Sequence, residues 1–84
     1  MEKNTLFAIL EECDCKGLGN YKPTKEIKVL IGTSSVVKEI VDIKVFDIRD
    51  DYVILILSTK VRVFVPYEWI LMLAEHPPEE PRSE

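Results

Sequence analysis

The sequence predicts a mostly β domain in which one N-terminal helix precedes a strongly bent five-stranded antiparallel sheet. Three observations lead there. From Ile27 onward, β-branched and aromatic residues recur with a period of two, the spacing of a half-buried strand. Turn-forming clusters interrupt that pattern at Gly32-Thr33-Ser34-Ser35, Arg49-Asp50-Asp51 and Ser58-Thr59-Lys60. The run over residues 36–48 is also too long to lie straight. At about 3.3 Å per residue it would reach about 43 Å, whereas a globule of this size is about 30 Å across.

The helix comes first. Leu6, Ile9, Leu10 and Cys13 recur at helical spacing, Phe7 widens the stripe, and Asn4 or Thr5 is placed to cap the start. Glu11 and Glu12 are unfavourable near a helix C-terminus, so the helix is expected to be short. Residues 14–25 read as a loop, because Gly17, Gly19-Asn20 and Pro23 break any regular pattern.

The first strand follows, with Ile27, Val29 and Ile31 alternating against Lys28 and Leu30. In residues 36–48, Val37, Val41, Ile43 and Val45 keep one phase, with Lys38, Asp42 and Lys44 opposite. At Val45-Phe46 the phase flips, and Phe46 and Ile48 become the inward set, which predicts a bulge that bends the strand. Residues 52–57 are apolar throughout and read as a central strand covered on both faces. The next strand, 61–65, turns its valines inward and Phe64 outward, and Pro66 ends it.

Two continuations are open after Pro66. A tight 3₁₀ turn at Tyr67-Glu68-Trp69 can lead into a fifth strand over 70–73. Alternatively, Pro66 opens a helix over 66–75, favoured by Leu71, Met72, Leu73 and Ala74, on one face of an open four-stranded antiparallel sheet, which would make the fold α+β. Pro77, Pro78 and Pro81 among glutamates predict a disordered acidic tail over 76–84, leaving 1–75 as one folded domain.

This order of elements resembles the Sm-like or, more broadly, SH3-like small β-barrel. The residues that carry the likeness are 36–48 as the bent strand and 52–57 as its partner, with Val63-Phe64-Val65-Pro66-Tyr67-Glu68-Trp69-Ile70 as the junction of strand, 3₁₀ turn and strand. The resemblance covers about residues 27–74. It implies a closed five-stranded barrel, and a protein that either forms RNA-binding rings or serves as an interaction module. The family's RNA-binding signatures do not carry over. Where Sm proteins place an Asp-x-aromatic-Asn motif, this chain reads Asp47-Ile48-Arg49-Asp50-Asp51-Tyr52. Val65-Pro66-Tyr67 stands in place of their Arg-Gly pair, and the Tyr-Lys-His-Ala run of the bacterial branch is absent.

Composition narrows the function classes. The 84 residues are 46% hydrophobic and carry 11 basic against 15 acidic side chains, a net charge of −4 that excludes a strongly basic nucleic-acid module. No apolar run is long enough for a membrane span or a signal-peptide core, so a soluble, cytoplasmic protein is expected. Two cysteines one residue apart, Cys13 and Cys15, cannot staple a secreted scaffold. Zinc wants four ligands, and the pair has only the distant His76 to add, so a metal site would need two chains; Cys13 more simply ends the helix stripe.

No catalytic residue is indicated, and the chain is expected not to be an enzyme and to need no cofactor. Asp47, Asp50 and Asp51 suit a turn better than a desolvated acid–base pair. For nucleic acid, the candidates are Lys16, Tyr21, Lys22, Lys25 and Lys28, with Lys60 and Arg62 on a second hairpin. For a protein interface they are Phe64, Tyr67, Trp69 and Met72, more apolar surface than one thin wall of a small domain can cover. The expected role is a non-catalytic binding or assembly module acting through protein contacts. Its partner is a second copy, as dimer or ring, or another protein, and Sm-like RNA binding is the alternative.

Overall fold

The computed structural model describes residues 1–13, 15, 17 and 19–76. A helix α1 (Lys3–Glu12) is followed by strands β1 (Asn20–Tyr21), β2 (Glu26–Gly32), β3 (Val37–Ile40), β4 (Ile43–Ile48), β5 (Tyr52–Leu57) and β6 (Arg62–Pro66). A 3₁₀ turn (Tyr67–Trp69) then leads into β7 (Ile70–His76). The domain is mostly β and its strands form two antiparallel sheets, ordered β1-β4-β5-β6 and β3-β2-β7. Among the described residues, strand pairing does not close them into a barrel.

The helix stripe does what its spacing predicts. Leu6 and Leu10 are fully buried, and Phe7 and Ile9 lie half-buried beside them. The cap differs from expectation. Glu2 occupies the N-cap position without a side-chain bond, and Asn4 and Thr5 already lie inside the helix.

Between the sheets, Phe46 of β4 stands opposite Tyr21 of β1 and Leu55 of β5, and it joins Ile27, Val29, Val53 and Val65 in one core. As expected, β5 is central: Val53, Ile54 and Leu55 are all buried. The alternation in β5 sends Val53 and Leu55 into the main core and Ile54 to the other face, opposite Asp47 and Phe64.

The long second strand is bent, but its corner lies earlier than the sequence suggests. Residues 36–48 divide into β3 and β4, which belong to different sheets. Asp42 turns the corner at φ 59°, a left-handed conformation that aspartate tolerates better than most residues, and its carbonyl accepts a bond from the Ser58 N–H at 2.9 Å. The register shift against β5 falls between Ile43 and Val45 rather than at Val45-Phe46. Val37 is exposed because β3 is an edge strand that has already left the four-stranded sheet, and Val41 because it lies in the corner between β3 and β4. Val61 is exposed as well, since β6 begins only at Arg62.

The helical continuation after Pro66 is overturned. Residues 67–69 make the 3₁₀ turn, and β7 pairs along β2 from Ile31 opposite Ile70 to Glu26 opposite His76. The five expected strands thus correspond to β2, β3 with β4, β5, β6 and β7, with the short β1 added from the loop. His76, assigned above to the tail, is the last residue of β7, and residues 77–84 lie outside the described residues. Among the described residues, no helix is long and apolar enough to cross a membrane.

The β5–β6 turn holds a non-glycine residue in left-handed backbone. Lys60 has φ 70°, and its N–H bonds the Leu57 carbonyl at 2.9 Å. Left-handed backbone costs about 1–2 kcal/mol for a residue with a Cβ, part of which glycine's larger entropy loss offsets. Lys60→Gly should therefore stabilise the domain by about 0.5–1 kcal/mol, read as a higher denaturant midpoint at unchanged slope.

Candidate interaction surface

Pro66 ends β6 and feeds a turn whose first residue is anchored inward. Tyr67 is buried, and its hydroxyl donates to the Arg49 carbonyl at 2.5 Å, tying the 3₁₀ turn to the β4–β5 connection. Burial raises the phenol pKa, and the nearby Asp50, Asp47 and Asp51 add to that, while the bond to Arg49 works against it. The backbone of the same turn is held from the other side. The Met1 ammonium donates to the carbonyls of Tyr67 at 3.0 Å and Ile70 at 2.9 Å.

With Tyr67 fixed inward, Trp69 at the end of the turn is 45% exposed. A register shift follows at once. Ile70 stands opposite Ile31, and Met72 stands opposite Leu30. Leu71 is therefore an extra residue in the ladder, and it and Met72 are both left 48% exposed. A second apolar patch lies on the outer face of the four-stranded sheet. Phe64, 52% exposed, packs tilted against Tyr52 with centroids 6.0 Å apart, and the Arg62 guanidinium sits 5.0 Å from the Phe64 ring.

Of the four residues expected at a protein interface, Phe64, Trp69 and Met72 are on the surface. Tyr67 is not, because it is buried and its hydroxyl is tied to the Arg49 carbonyl. Leu71 and Tyr52 join the surface. Leu71 was hidden by the bulge, because strict alternation puts only one of two neighbouring residues outside. Tyr52 could have been found from its place at the very start of an apolar strand, where cover runs out.

The nucleic-acid candidates do not form one field. Lys25 pairs with Glu75 at 3.3 Å and Lys28 with Glu39 at 2.6 Å, so both charges are locally matched. Tyr21 packs edge-on against Phe7, 5.8 Å between centroids. Lys22 is exposed, and Lys60 and Arg62 belong to a different hairpin. Lys16 lies outside the described residues.

Cys13 and Cys15 are buried. Burial, followed by a hydrogen bond to the Glu75 carboxylate, pushes the Cys13 thiol up to about 11. The same thiol and Lys25 hold the Glu75 pKa below the usual carboxylate range. Among the described residues, no three metal-ligating side chains come together. A raised thiol pKa gives stability that is complete below the ordinary value of 9.0 and is lost as pH rises toward 11. Unfolding midpoints should accordingly drop between pH 9 and 11, and Cys13→Ala should flatten that decline; an equal decline in the variant would assign it to other groups.

An open cleft of about 650 Å³ lies beside the 3₁₀ turn, lined by Met1, Glu2, Asp50, Asp51, Pro66, Tyr67 and Glu68. Its aspartates serve the turn. Asp50 is fully exposed, 3.6 Å from the Lys3 ammonium, and Asp47, outside the cleft, is held by Arg49 at 3.0 Å. No protein-family model, curated protein or solved structure matches the chain.

Proposed function

We propose that the protein is a non-catalytic assembly module that acts through protein contacts and associates with copies of itself. One observation carries this reading. Four large apolar side chains, Phe64, Trp69, Leu71 and Met72, each about half exposed, fall within nine consecutive residues that run from β6 through the 3₁₀ turn into β7. A domain of this length buries only about 60–65% of the surface its unfolded chain exposes, so association is a direct route to further burial. Interface cores are enriched in aromatic residues and methionine.

The finer architecture belongs to the same proposal. A small barrel of the Sm-like or SH3-like kind is supported by two features. The corner at Val41-Asp42 carries the chain from the three-stranded sheet to the four-stranded one, and the Pro66-led 3₁₀ turn carries it back.

Light scattering across a hundredfold concentration range tests the proposal. A mass above 9.7 kDa that rises with concentration is expected, and Trp69→Ala should shift it toward monomer. A constant 9.7 kDa would overturn self-association. Fluorescence anisotropy against mixed-sequence RNA tests the alternative, since binding at low salt that weakens steeply as salt rises would assign an RNA-binding role instead.

A further inference from the structure

We propose that the copies meet along the free edge of β7, in an antiparallel β7–β7 pair about a two-fold axis; this rests on the self-association proposed above. An exposed strand edge offers unpaired N–H and C=O groups to any other chain, and proteins protect such edges by shortness, charge or proline. Of the four edge strands among the described residues, three carry such protection. The β1 strand has two residues, β3 has four and includes Lys38 and Glu39, and β6 begins with Arg62 and ends with Pro66. The β7 strand, with seven residues, has no proline, lysine or arginine. Its one carboxylate, Glu75, is already matched by Lys25. At the start of this strand the Ile70 carbonyl is taken by the Met1 ammonium, and among the described residues no strand pairs with β7 on the side away from β2.

Charge and apolar surface together select a second copy and its direction. Pairing centred on Met72 sets the exposed Met72 side chains against each other and Leu71 against the partner's Leu73. It also brings Trp69, in the turn just ahead of the strand, toward the far end of the partner's β7, where the partner's Lys25 ammonium can approach the indole ring. The two Glu75 carboxylates then lie about 20 Å apart along the strands, beyond the screening length at moderate salt. A parallel pair would place them side by side, which is repulsive. The result is a continuous six-stranded sheet, β3-β2-β7 joined to its copy, and an assembly that closes at two.

Three variants test this. Met72→Cys should form a disulfide-linked dimer under mild oxidation, the native Cys13 and Cys15 being buried. Leu71→Lys places a charge on the bare edge and should weaken the dimer by about a hundredfold while the circular dichroism of the fold is kept. The wild-type mass should plateau at twice 9.7 kDa. Growth beyond that value, or cross-linking between Phe64→Cys and Met72→Cys chains without Met72→Cys self-linking, would overturn the β7–β7 contact and leave self-association standing. Association unaffected by Leu71→Lys would do the same. A monomer at every concentration would remove both.

Discussion

Phe46→Ala should cost about 3–5 kcal/mol, the usual loss for a buried aromatic side chain. Phe46 is 1% exposed and is the largest fully buried side chain among the described residues. It sits where Tyr21, Leu55 and the helix residues Leu6 and Leu10 share one core, so no single element can collapse into the space it leaves. A domain of this length has a total stability of about 4–13 kcal/mol. The variant should therefore be largely unfolded at 37 °C, or have its urea midpoint reduced by about a quarter or more. A loss under about 1 kcal/mol would show that this core repacks freely.

The second large effect is expected at Gly32. A Cβ there would collide with the Val36 carbonyl and come within 2.9 Å of the Val37 Cα. The neighbours are backbone, and the same carbonyl accepts the Thr33 N–H at 2.9 Å, the bond that closes the β2–β3 turn. Relieving the clash means opening that turn, so Gly32→Ala should combine overpacking with a lost hydrogen bond, about 2–4 kcal/mol together. Hydrogen exchange separates this from a global effect. Protection should fall first at residues 33–40, while the β4–β5–β6 amides keep theirs relative to global stability.

These two residues also show what the sequence displays and what it conceals. The turn at Gly32 and the central β5 are legible because their signals are local: a cluster of turn formers, and six consecutive apolar residues. The bend in residues 36–48 is legible from length alone. Its position is not, since Val37 and Val41 look like core residues until the edge position of β3 exposes the first and the corner before β4 the second. Residues 70–76 carry strong helix formers, and only the open edge of β2, some forty residues earlier, decides that they become a strand. For the same reason the candidate surface was only partly readable. Phe64, Trp69 and Met72 follow from phase and composition. The burial of Tyr67 depends on a carbonyl 18 residues away, and the exposure of Leu71 depends on a register shift that no sequence pattern marks.

The pairing of β2 with β7 joins Glu26 to His76, residues fifty positions apart, whereas β4, β5 and β6 are joined by short hairpins. Closing a long loop must be met before its contacts give anything back, so the hairpins of the four-stranded sheet are set to form early and β7 to dock last. On a ribosome the order is stricter still, because β2 has only β3 beside it until residue 76 has emerged. During that interval Ile27, Val29 and Ile31 lack the strand that covers their flank, and the newly made chain is most exposed to misassembly. The slowest step in folding should thus be the completion of the three-stranded sheet, with the docking of β7 setting the rate.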